Sequence, residues 1–155
     1  MNEITEDQVL NRLTALCARG EHCEGEMREK MRRWGVDTDT QDRIIAYLVA
    51  NQYVDDERFT RFFIKDKMQF NKWGRRKIEQ ALFAKRVKDE ISQPLLDEIG
   101  KNEWKGILLP LLKAKQKSIT TGTPYEQKAK LMKFALSRGF TMDIIRACMD
   151  VSDME

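Results

Sequence analysis

At 155 residues, 41% hydrophobic and 34% charged, the chain is too apolar to be a disordered polymer, and it is long enough for one domain or several small units that share their burial. No apolar run approaches the roughly 20 residues of a membrane span, and the acidic start Met1-Asn2-Glu3-Ile4-Thr5-Glu6-Asp7 lacks the apolar stretch of a secretory signal. A cytoplasmic location is therefore expected, with no membrane partner. The formal net charge of +3 hides an asymmetry. Lys65–Lys88 holds nine Lys/Arg against two Asp/Glu, residues 1–64 hold nine against thirteen, and residues 89–155 hold ten of each. A basic block that localised points to an anionic partner.

Along the chain the apolar spacing is helical. Thr5 is an N-cap for a helix carrying Val9, Leu10, Leu13, Leu16 and Cys17, which ends at Gly20. A second helix runs from about Glu24 to Trp34 with Met27 and Met31 on one side and stops at Gly35. A third starts after Asp37-Thr38, carries Ile44, Ile45, Leu48 and Val49, and ends at Asn51-Gln52. The pattern then restarts. Asp55 and Asp56 cap and charge the start of a helix with Phe59, Phe62, Phe63 and Ile64. Gly74 precedes a helix with Ile78, Ala81 and Leu82, and after Val87 comes one with Ile91, Leu95, Leu96 and Ile99. Pro94 predicts a late start or a kink there. A third round has Trp104, Ile107, Leu108, Leu111 and Leu112, then a polar loop to Pro124, then Leu131, Phe134 and Ala135, then Ile144, Ile145 and Cys148. Val151–Glu155 reads as a frayed tail.

This is an internal repeat. Met27, Met31 and Val36 match Ile78, Leu82 and Val87, which in turn match Leu131, Ala135 and Phe140. The expected fold is all-α: three tandem three-helix, helix-turn-helix-like units over residues 1–52, 53–101 and 102–150, with a tail at 151–155, stacked into an elongated, curved array.

The middle unit carries a resemblance. Tyr53-Val54-Asp55-Asp56-Glu57-Arg58-Phe59, Trp73-Gly74-Arg75-Arg76-Lys77-Ile78 and Gln80-Ala81-Leu82 are similar, in order and spacing, to the L/Y-x-D-D-x-R-[FY], G-x-x-x-I and E-L-x-x-[KR]-G-[IV] segments of the RecX family, bacterial regulators of the RecA recombinase. The match runs over about 35 residues, and the three-unit layout extends it over almost the whole chain. Two positions depart from the pattern: Arg86 stands where the family usually has glycine, and Ala81 where it usually has an acid. The resemblance implies a non-enzymatic protein that binds RecA, lies in the groove of the RecA–DNA filament and limits its activities in recombination and DNA repair. It also implies direct single- or double-stranded DNA binding by some members. A monomer is expected.

Several residues carry functional and structural readings side by side. Lys72, Arg75, Arg76, Lys77 and Arg86 are candidate contacts to RecA or to DNA, or else a solvated face. Trp73 either stacks on a base or packs as a hydrophobic staple. Phe83 is expected to pack against an adjacent unit. Tyr53, Phe59, Gly74, Ile78 and Leu82 form the structural motif, with Tyr53 and Phe59 in the core. Asp55 and Asp56 are capping acids, since no third acid or histidine is placed with them for catalysis. Lys113, Lys115 and Lys117 either extend the basic surface or cap a helix.

Enzyme chemistry has no support in these residues. Cys17, Cys23 and Cys148 have no CxxC spacing, His22 is the only histidine, and no phosphate-binding glycine pattern occurs. No cofactor, metal or catalytic residue is expected. The alternative to a filament regulator is a DNA-binding helix-turn-helix module acting through the basic middle repeat.

Overall fold

The computed structural model describes residues 4–153 and is helical, with no strand among those residues. Met1–Glu3, within the acidic start, and Met154–Glu155, within the expected tail, lie outside them. The helices are α1 Glu6–Arg19, α2 Glu24–Arg33, α3 Thr38–Ala50, α4 Asp56–Asp66, α5 Arg75–Ala84, α6 Asp89–Asp97, α7 Lys101–Ser118, α8 Pro124–Ser137 and α9 Met142–Asp153, with a π-helical turn over Lys67–Asn71. Local chemistry sets the starts. Thr5 and Gln8 form a capping box on α1, and the Asp37 carboxylate and Thr123 hydroxyl accept from Thr40 N–H and Glu126 N–H. Pro124 occupies the first turn of α8, where its missing N–H costs nothing.

The middle helix of each repeat ends in the same Schellman turn. Val36 N–H donates to Met31 C=O, Val87 N–H to Leu82 C=O and Phe140 N–H to Ala135 C=O. The residue before each is left-handed: Gly35 (φ 76°), Arg86 (φ 61°) and Gly139 (φ 92°). The following apolar residue folds back on its helix, which buries Val87 and Phe140. The sequence repeat is thus a repeat of one turn geometry.

These turns dock onto helix starts. Gly74 N–H donates to Arg138 C=O at 2.8 Å and Arg76 N–H to Gly139 C=O at 2.9 Å. Two of the otherwise orphaned donors of α5 are thereby satisfied by the turn that ends α8. The approach is so close that a Cβ on Gly74 would lie 2.5 Å from the Gly139 carbonyl carbon, and one on Gly139 would lie 2.4 Å from Lys77 Cβ. The turn ending α5 meets the start of α2 in the same way. Cys23 Sγ donates to Lys85 C=O at 3.7 Å, and a Cβ on Gly25 would stand 1.9 Å from that oxygen.

By compactness the chain forms two units. The first takes α1–α3, α4 as far as Phe63, and Leu82–Ser92; the second takes Ile64–Ala81 and the chain from Gln93 on. The first is built on Val9, Leu13, Met27, Met31, Ile44, Ile45, Leu48 and Val54, all buried. In the second, α7 packs on α8 and α9, burying Trp104, Leu108, Leu112, Leu131, Ile144 and Ile145. Each such aliphatic side chain contributes about 1.5–3 kcal/mol on burial.

Five features differ from the sequence expectations. Tyr53 is not in the core: it is 40% exposed and stacks on Tyr47, because the α3 turn ends with Gln52 left-handed (φ 61°) and buries Val54 instead. Phe83 does not pack against a neighbouring unit; it is 76% exposed. Helix α6 does not start late, since it opens at Asp89 and five residues precede Pro94, whose missing N–H leaves the Glu90 carbonyl without its helical donor. Helix α4 is prolonged by the π turn, which closes with Lys72 left-handed. Helix α9 continues through Val151 to Asp153.

Gly74→Ala is expected to destabilise the protein by about 3 kcal/mol, because the added methyl meets backbone that cannot yield. Gly106→Ala, inside α7 with open space at its Cβ, should instead stabilise by about 0.5–1 kcal/mol. Urea denaturation of both variants checks the pair.

Candidate interaction surface

The basic block occupies the end of α4, the π turn and α5. Lys72 is exposed at the π-turn cap, and Arg76 is exposed on the first turn of α5. Lys77 is half-buried, its ammonium 5.0 Å from the Trp73 ring centroid; Lys67 lies 5.3 Å from the same centroid. Trp73 is half-buried. That places an aromatic under two cations, an arrangement worth about 0.5–1 kcal/mol at such sites.

Arg75 differs from its neighbours. Its guanidinium donates to Asp97 Oδ1 at 2.7 Å and Gln93 Oε1 at 2.9 Å, and lies 3.4 Å from Glu79 Oε1. Gln93 in turn donates to Glu79. Arg75 thus ties α5 to α6 with its charge matched by two acids, so it offers little to an outside anion. Arg86 belongs to the first compact unit. It is exposed and holds the left-handed position that glycine holds in the other two repeats.

The remaining cations split the same way. Lys85 donates to Glu26 Oε2 at 2.8 Å and sits 6.0 Å from the Phe63 ring centroid. Burial opposes ionisation of Glu26, but the Lys85 hydrogen bond, the Cys23 N–H and the Lys85 and His22 charges outweigh it, so its carboxyl titrates below the ordinary value. Lys115 lies 5.4 Å from the Phe134 ring centroid, in a packing role. Phe59, Gly74, Ile78 and Leu82 are buried, with Phe59 stacked on Phe63.

The paired acids separate in role. Asp55 caps its own helix by accepting from Arg58 N–H at 3.0 Å. Asp56 turns away and accepts from Glu24 N–H at 2.8 Å, so it caps α2, in the preceding repeat. Burial raises the Asp56 pKa, and so does the Asp55 charge, against the Glu24 hydrogen bond and Lys88. Burial and the Asp56 charge likewise raise Glu24. Arg58 beside them bonds Glu21 at 2.8 Å and the Gln52 carbonyl at 3.1 Å. The Asp-Asp-x-Arg segment is therefore a clasp between repeats. Sequence reasoning missed this partner assignment, because adjacency in the chain says nothing of the helix a carboxylate will meet. Among the described residues no group of His, Cys, Asp and Glu is placed to hold a metal ion. Burial pushes the Cys23 thiol up to about 12, so it is a packing residue and not a nucleophile.

Family models for the RecX first, second and third three-helix domains match residues 10–48, 55–93 and 107–149. The chain belongs to the RecX family. It is 31% identical over 125 residues to the regulatory protein RecX of Clostridium botulinum, covering 79% of this chain and 58% of that protein, and 30% identical over 122 residues to that of Clostridium perfringens, covering 77% and 57%. The chain spans less than three-fifths of these relatives' length. The crystal structure of RecX from Lactobacillus salivarius superposes with a TM-score of 0.88 at 17% identity, covering 97% of each chain, and a second RecX crystal structure gives 0.87 at 13%, covering 94% of this chain and 73% of that one. The RecX fold is thus reached with few residues in common, which fits a fold held by turn geometry and apolar spacing.

The Asp56 clasp has a pH signature. Its folded pKa lies above the ordinary 3.8, so the ionised form costs stability at neutral pH. That cost is relieved as pH falls through the folded pKa toward 3.8. Asp56→Asn keeps an acceptor oxygen without the charge. It should equal or exceed wild-type stability at neutral pH, with the difference shrinking as pH approaches that window. Asp56→Ala should lose about 1 kcal/mol or more at neutral pH through the orphaned Glu24 N–H. Urea midpoints across pH check both.

Proposed function

We propose that this chain is a non-catalytic, cytoplasmic regulator that binds RecA and the RecA–DNA filament and restrains recombinase activity in recombination and DNA repair. The relatives it matches are named regulatory proteins, and among the described residues no helix is long and apolar enough to cross a membrane. The observation that carries the proposed contact is the exposure of Lys72 and Arg76 at the start of α5, on a backbone fixed by the Gly74 and Arg76 hydrogen bonds to Arg138 and Gly139. Rigid cations steer an anionic partner and fix its register more than they add raw affinity. Lys77 supports this edge through Trp73, and Arg75 holds α5 in place through Asp97 and Gln93. Arg86 serves chiefly as the cap of α5 in this reading.

The test is RecA-dependent ATP hydrolysis and strand exchange with the folded protein added. Inhibition is expected, with Lys72→Ala/Arg76→Ala raising the concentration for half-inhibition roughly tenfold at unchanged thermal stability. Arg75→Ala should lower stability more than it alters inhibition per folded molecule. Absence of inhibition by the wild type sinks the regulatory reading; full inhibition by the double variant removes the assigned contact alone.

A further inference from the structure

The outer face of α8 differs from the same face of the other two middle helices. Tyr125, Ala129, Met132 and Leu136 recur at spacings of four, three and four residues. At about 100° per residue they fall within one arc of about 60°, turned about 110° from the buried pair Leu131 and Ala135. Tyr125 is 84% exposed and Leu136 44%, while Ala129 is exposed and Met132 half-buried. This is the spacing of a coiled-coil seam, about three turns long, and it faces away from the core of its own unit.

The repeat shows what this face does elsewhere. Ala129, Met132 and Leu136 correspond to Gly25, Arg28 and Arg32 on α2, and to Arg76, Glu79 and Phe83 on α5. On α2 the face meets the Lys85 carbonyl at Gly25, and on α5 the Gly139 carbonyl accepts from Arg76 N–H. The start of α8 is closed by its own Thr123, which accepts from Glu126 N–H and Gln127 N–H. Ala129 also carries a Cβ where Gly25 has none, which shuts the close backbone approach by which a further repeat would dock. The apolar seam is therefore not the seat of another turn.

Its flanks are positive. Lys128 and Lys133 stand on either side of the seam, and α8 holds three lysines against one acid, Glu126. At the Tyr125 end the seam opens on a groove of ≈ 410 Å³ floored by Leu112, Ile119, Leu131 and Met149, with no acid among its lining residues. An apolar seam with positive flanks is complementary to a helix with apolar residues at the same spacing and acids beside them. The α8 of a second copy would bring like charge to like. A nucleic-acid backbone would gain from the lysines but not from an aliphatic seam.

We propose that the outer face of α8 docks an acidic amphipathic helix of a partner protein. Tyr125, Ala129, Met132 and Leu136 form the seam, Lys128 and Lys133 face the partner's acids, and the groove takes an apolar anchor side chain. The site is independent of the edge at Lys72 and Arg76, which offers charge without an apolar seam.

The test uses the full chain without recombinase, so its outcome is separate from that of the regulatory reading. The probe is a labelled synthetic helix of about 18 residues with Leu at the seam positions and Glu at the flanks, followed by fluorescence anisotropy. Saturable binding is expected. Tyr125→Ala/Leu136→Ala should bind at least about tenfold more weakly with unchanged salt dependence. Lys128→Glu/Lys133→Glu should lose about tenfold for this probe and gain binding to a sister peptide with Lys at the flanks. All four positions are exposed, so thermal unfolding should match wild type. Both variants should inhibit recombinase as the wild type does; weaker inhibition by either overturns the independence of the site. The proposal also fails if the wild type binds no probe up to about 1 mM. It fails if a control peptide with Ser at the seam positions and the same Glu flanks binds as tightly, the mark of a general anion or nucleic-acid site. It fails too if the wild type sediments as a dimer that Tyr125→Ala/Leu136→Ala converts to a monomer, since a second copy is then the occupant.

Discussion

The constraint on which this structure depends is the seating of one turn's carbonyl groups on the open start of another helix. A helix start leaves backbone N–H groups without partners, and a Schellman turn sends carbonyls outward. Here the Arg138 and Gly139 carbonyls meet Gly74 and Arg76 N–H, and the Lys85 carbonyl meets the Cys23–Gly25 start of α2. Both approaches bring backbone against backbone at distances no Cβ would allow. That is why glycine stands at 25 and 74, and why Gly139 has two reasons to be glycine, its left-handed φ and its neighbour Lys77.

Around each junction polar side chains finish what the backbone begins. At the α2 start, Asp56 accepts from Glu24 N–H, Glu26 takes both Cys23 N–H and Lys85, and Arg58 clasps Glu21. At the α5 start, Arg75 gathers Asp97, Gln93 and Glu79. These acids and bases are consumed in assembly. A charge count therefore overstates what the middle repeat presents to a partner. Among its exposed cations, Lys72 and Arg76 stand beside the junction hydrogen bonds that fix the start of α5. In the proposed reading function and folding share one element: the turn that satisfies α5 also fixes the backbone that carries Arg76.

Arg86 shows how such a junction tolerates exceptions. It adopts a left-handed φ that costs a non-glycine residue about 1–2 kcal/mol. The strain persists because Gly25 opposite leaves space for the Lys85 carbonyl and because Val87 is buried behind it. This junction has glycine on one side of the contact, at Gly25, where the α5 junction has it on both, at Gly74 and Gly139. Pro94 is tolerated for a related reason: its sixth position in α6 costs one helical hydrogen bond while Leu95 and Leu96 on the next turn are buried.

Much of this was legible in the chain alone. Apolar spacing and caps determined the helices, since a capping residue and its donor lie within one turn, and Gly35 was legible as the stop of α2; that Arg86 takes the left-handed position glycine holds at 35 and 139 came only from the structure. The core roles of Phe59, Ile78 and Leu82 followed from 3.6-residue periodicity. What periodicity cannot carry is which surface a side chain meets outside its own helix. Tyr53 and Phe83 read as packing residues because they are large and apolar, yet the structure leaves both exposed. Arg75 read as a contact residue because it is flanked by cations, yet Asp97 and Gln93, far along the chain, take its donors. Only the tertiary structure distinguishes cations held by acids on other helices from cations left facing water, because ion pairing depends on distance in space and a sequence records distance along the chain.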